Sequence, residues 1–175
     1  MSDDLDFSLN RTVTGEDLLS GGGRLERLTW LVKRIPAKDL YFLQDGAFSE
    51  ILFREIADSF VNGQFIAVIV LGFSFIERTI AGRLSFLEEK SAAKGKSEEL
   101  IGTAMDKGWL TVQEKVLLDG LRKLRNPVVH FKEPFAPTRP EFKAVMEAKT
   151  TPQLLERDAR RILEATIHVL NKTAL

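Results

Sequence analysis

The sequence predicts an all-α fold, a helical bundle of four or five principal helices. Three observations predict it. Apolar residues recur at helical rather than alternating spacing along most of the chain, capping patterns stand ahead of two of these runs, and no convincing strand or hairpin signal occurs. With 175 residues, 44% of them hydrophobic, one domain with a continuous core is expected.

Residues 1–23 are polar, weakly periodic and end in Gly21-Gly22-Gly23, a run that accepts many backbone conformations and holds none, so they are expected to form a flexible N-terminal arm ahead of a helical domain over 24–175. Leu25, Leu28, Leu31, Val32 and Ile35 then recur at helical spacing, with Pro36 as the stop. A second amphipathic stretch presents Phe48, Ile51, Leu52, Ile56 and Phe60 and ends at the Asn62-Gly63 turn. The segment from Phe65 to Ile76 is the most apolar in the chain, yet at about twelve residues it is shorter than the roughly 18 that a membrane span needs. It runs into the helical pattern of Glu77 to Leu84, so one long helix is expected from near Gln64 to near Lys90, either central to a core or covered by a partner chain.

Ser91 to Ser97 is small, Lys-rich and expected to be a loop. Leu100, Ile101, Ala104 and Met105 mark the next helix, with Gly108 near its end. Thr111-Val112-Gln113-Glu114 fits a capping box, in which the threonine hydroxyl and the glutamate satisfy each other's free backbone amides. The helix it opens carries Val116, Leu117, Gly120, Leu121 and Leu124. Pro134, Pro137 and Pro140 predict an irregular connector, and Thr151-Pro152 an N-cap with proline at the first helical position. The closing helix runs through Leu154, Leu155, Ile162, Leu163, Ile167 and Leu170.

Composition removes several classes of chemistry. Twenty-five basic residues balance twenty-five acidic ones, so no global positive field draws in a polyanion, and nucleic acid would have to meet a local patch. The absence of cysteine excludes disulfides, thiolate nucleophiles and zinc-thiolate sites, and two histidines argue against a dedicated metal centre. The acidic N-terminal stretch lacks the pattern of a secretory signal, so a cytoplasmic location without a membrane anchor is expected.

Chemistry concentrates in Leu121-Arg122-Lys123-Leu124-Arg125-Asn126-Pro127-Val128-Val129-His130-Phe131. Pro127 cannot donate to an upstream carbonyl and disfavours helical geometry at Asn126, so the helix is expected to break near Arg125 and to restart with Asn126 as cap. On an unbroken helix Arg125 and His130 would lie roughly 140° apart, and the break is expected to bring them together. Arg122, Lys123 and Lys132 add a cationic cluster able to track a phosphate backbone. Glu77 sits on the helical line of Phe73, Ile80 and Leu84 with no cation three or four positions away, so it needs a partner from elsewhere, Arg125 within the bundle or across a dimer. His168, Trp30 and Trp109 are assigned to structure and packing.

Arg-x4-His with a polar residue directly after the arginine, at the end of a bundle helix, resembles the signature of HEPN domains. The helix ending Phe75-Ile76-Glu77, the loop, the helix beginning near Glu98 and Gly108-Trp109-Leu110 ahead of the motif extend the resemblance over roughly Leu40 to Leu170. It implies RNA cleavage without a metal or other cofactor at a site shared by two subunits. Toxin-antitoxin or phage-defence roles come with it, and with them a homodimer, an RNA substrate and an antitoxin protein. In that reading His130 exchanges the proton of the ribose hydroxyl or of the leaving oxygen, Arg125 stabilises charge on the phosphate, and Asn126 orients the histidine or a phosphate oxygen by hydrogen bonding, with Glu77 in support. The same residues also permit a HEPN-like dimerisation or ligand-binding module that cleaves nothing.

Overall fold

The computed structural model describes residues 21–35 and 45–172; residues 1–20, most of the expected arm, fall outside that range, as does Pro36. The protein is an all-α bundle, with no strand among the described residues. In chain order the helices are α1 (21–32), α2 (Ala47–Val61), α3 (Phe65–Phe86), a 3-10 turn (Ala92–Lys94), α4 (Ser97–Asp106), α5 (Val112–Val129), α6 (Pro140–Met146) and α7 (Thr151–Asn171). Gly21, Gly22 and Gly23, expected in the arm, are helical.

Helix α3 is the centre, packed against α2, α4, α5 and α7. Val68, Ile69, Phe73, Phe75 and Ile76 are fully buried by this chain's own helices, as expected of a helix central to a core, while Ile66 near its start is exposed. Burying side chains of this size contributes about 1.5 to 3 kcal/mol each. By length and composition the whole of α3 could also cross a membrane; here it is the hub of the bundle. Its closest contact is with α7, where Thr166 Oγ1 donates to Gly72 O at 3.2 Å and a methyl placed on Gly72 would lie 2.6 Å from Ile162 Cγ2.

Several expectations are corrected. Helix α3 stops at Phe86 rather than near Lys90, because Glu88 turns left-handed (φ 64°) and the amides of Glu88 and Glu89 bond back to Ser85 and Leu84. The same termination closes α2 at Gly63, α4 at Gly108 and α6 at Ala148. On α2 the buried line is Ser49, Leu52, Ile56, Ser59 and Phe60, while Phe48 and Ile51 face outward. Arg78 lies over the Phe48 ring at 4.3 Å, which gives that exposed aromatic a partner. On α5 the buried residues are Leu118 and Leu121; Val116 and Leu117 are exposed. The proline-rich connector contains α6, which Pro140 opens at its first turn, where a missing N–H costs nothing. Thr150, one residue earlier than expected, caps α7, because Gln153 reaches back to the Thr150 amide at 3.0 Å.

Candidate functional site

Spacing along α5 decides where Arg125 goes. Leu118, Leu121, Arg125 and Val128 follow each other at three or four positions, so the arginine occupies the core-facing line of its helix. Glu77 occupies the corresponding line of α3, beside buried Phe73, Ile80 and Leu84. A charge so placed must meet its opposite. Arg125 Nη2 donates to Glu77 Oε1 at 3.0 Å, with the two side chains 14% and 22% exposed, so of the two pairings expected for Glu77 the one within the bundle is formed. Ser97 Oγ, from the first residue of α4, donates to the same carboxylate oxygen. The guanidinium carbon also lies 5.1 Å from the centre of the Phe73 ring.

The expected break at Pro127 does not occur. Helix α5 continues through Pro127 to Val129, and Asn126 remains within it. Pro127 falls in the last turn, so the one bond it removes, to Lys123 O, can be lost without ending the helix, which stops naturally two residues later at Val129. His130 is the first extended residue (φ −109°, ψ 135°), its amide bonded to Asn126 O at 2.9 Å. Because His130 has left the helix, the 140° separation no longer applies.

Arg125, Asn126 and His130 line one cleft of about 540 Å³, with Arg122 beside them on the α5 wall. The facing wall is the start of α4, Lys96 to Glu99, where the first backbone amides of a helix lack intrahelical partners. Glu99 occupies one donor by accepting from the Lys96 amide at 2.8 Å. The cleft is mixed in charge. Arg122 pairs with Glu98 at 3.2 Å, and its buried Nε stands 3.7 Å from Asp119 Oδ1, too far for a hydrogen bond, so both atoms lack a partner.

Of the expected cationic cluster, then, Arg122 lines the cleft, whereas Lys123 and Lys132 are exposed and do not. Lys96, Ser97, Glu98 and Glu99 line the cleft as well, although the sequence marks this stretch only as the end of a loop and the start of a helix. Nothing local to Lys96-Ser97-Glu98-Glu99 says that the start of α4 packs against the end of α5. His168 lies at the other end of α5, where its Nε2 meets Glu114 beside Lys172 Nζ at 2.6 Å. Burial pushes the Glu114 carboxyl up, but the Lys172 contact, the Thr111 amide and His168 together bring it down to about 2. The guanidinium carbons of Arg34 and Arg160 lie 3.9 and 5.0 Å from the Trp30 ring and that of Arg83 4.4 Å from the Trp109 ring, and both indoles pack against the core. Among the described residues no three His, Asp or Glu side chains are grouped to hold a metal ion. No family model, curated protein or solved structure matches the chain.

Proposed function

We propose that this chain is a HEPN-type endoribonuclease that cleaves RNA without a metal, acts in the cytoplasm as a homodimer, and serves as the toxin of a toxin-antitoxin pair or as a phage-defence component. The observation that carries this reading is the meeting of Arg125, Asn126 and His130 in one cleft. An imidazole exchanges protons near neutral pH, a guanidinium stabilises charge growing on phosphate oxygens, and a carboxamide orients the imidazole or a phosphate oxygen.

In the proposed reaction the ribose 2′-oxygen loses its proton to one imidazole and attacks phosphorus. The 5′-oxygen leaves as it gains a proton, so that a 2′,3′-cyclic phosphate and a 5′-hydroxyl result. The motif supplies one histidine per chain, so the second proton transfer falls to the His130 of another copy. Exposed Val112 and Val116 on α5, with Phe131 and Phe135 beyond the motif, offer apolar surface for that association. The test is cleavage of labelled RNA in excess EDTA, with the product ends identified and the particle mass measured at tens of micromolar. Cleavage that needs magnesium, or a strictly monomeric active protein, contradicts the reading.

A second reading has its own observation. The pairs Arg122 with Glu98 and Arg125 with Glu77 neutralise two cations of the cleft within the chain, as suits a HEPN-like dimerisation or ligand-binding module without catalysis. Absence of cleavage together with retained association would favour it.

A further inference from the structure

We infer that Ser97 is a positioning residue for Arg125, acting through Glu77, an inference that rests on the proposed reading of the cleft for its effect on activity but not for its geometry. Three helices meet at one atom. Glu77 Oε1, on α3, accepts from Arg125 Nη2 on α5 at 3.0 Å and from Ser97 Oγ on α4. Ser97 is free for this role because it opens α4 without capping it; Lys96 is the cap residue and Glu99 returns to the Lys96 amide.

A glutamate has three side-chain torsions, and a single ion pair leaves several of its conformers open. The second donor, arriving from a different helix, fixes the carboxylate against both α4 and α5. The guanidinium then has Nη2 committed to Glu77 and its carbon 5.1 Å from the centre of the Phe73 ring, in a residue that lines the cleft. Without the Ser97 hydroxyl the ion pair persists but its direction loosens, and a misdirected arginine reaches a developing phosphate charge less well.

The experiment compares wild type, Ser97→Ala and Ser97→Thr by two readouts. The first is the NMR signal of the Arg125 Nε–H group, which is sharp when the guanidinium is held and broadens as it rotates. Ser97→Ala should broaden or shift it, and Ser97→Thr, which keeps the hydroxyl, should restore it; an unchanged signal in Ser97→Ala overturns the inference. The second is RNA cleavage, where Ser97→Ala should lower kcat/KM by roughly 10- to 100-fold, mostly in kcat and at an unchanged fold, and Ser97→Thr should recover most of it. Wild-type kcat/KM in Ser97→Ala also overturns the inference. A wild type that cleaves no RNA defeats the ribonuclease reading alone, and the Arg125 signal then decides the role of Ser97 by itself.

Discussion

Arg125 on α5 and Glu77 on α3 stand 3.0 Å apart although each lies on the apolar line of its own helix. The contact therefore does two things: it lets two charges enter the side of a hydrophobic core, and it aims a guanidinium at a cleft that also holds His130. Arg125→Ala should leave the Glu77 carboxylate partly buried with only Ser97 as donor. The expected loss is about 1 to 3 kcal/mol, between the values for exposed and fully buried pairs, since neither side chain is entirely removed from water. Adding Glu77→Gln should recover most of that stability in urea unfolding but not any RNA cleavage. A double variant no more stable than Arg125→Ala would mean that the pair does not govern this region.

Gly72 lets α3 and α7 approach closely. A β-carbon there meets Ile162 Cγ2 at 2.6 Å and Thr166 Oγ1 at 3.1 Å, so Gly72→Ala should destabilise by about 1 to 3 kcal/mol despite the better helix propensity of alanine. Combining it with Ile162→Ala should cost less than the sum of the two single changes, because the second removes the methyl that the first strikes. Simple additivity in thermal unfolding would contradict the contact.

Glu114 ties the start of α5 to the end of α7. Its folded-state carboxyl, at about 2, lies below the ordinary value of 4.5, so its stabilisation is fully present above pH 4.5 and is lost as pH falls from there through about 2. Glu114→Gln keeps the capping geometry and removes the charge. Its cost should be about 1 to 3 kcal/mol at pH 7 and should fall to a small remainder near pH 2. A cost independent of pH in denaturant titrations would contradict an origin in the carboxylate charge.

The parts of this fold that were legible in the sequence are those fixed by neighbours along the chain. Thr111 and Glu114 form the expected reciprocal cap, at 2.7 and 3.2 Å, and Leu100, Ile101 and Ala104 face the core as their spacing requires. Gly63 and Gly108 announce the ends of α2 and α4, whereas Glu88 and Ala148 adopt the same left-handed conformation with no glycine to announce it. Pro127 does not end α5, because a proline removes one specific bond, and whether that ends a helix depends on how many turns remain. Glu77 could be recognised as needing a cation because an isolated charge on an apolar line is a local anomaly. Ser97 could not be recognised, since its importance comes from packing between residues twenty positions apart.

The most direct test of the central claim is cleavage of a defined RNA by the wild type and by His130→Ala, both in excess EDTA, with their unfolding midpoints measured alongside. His130 is exposed and lines the cleft, so the substitution should abolish cleavage while leaving the midpoint and the association state unchanged. A wild type that leaves every RNA intact, or a His130→Ala protein that cleaves as fast as the wild type, would contradict the assignment of this cleft as a ribonuclease site.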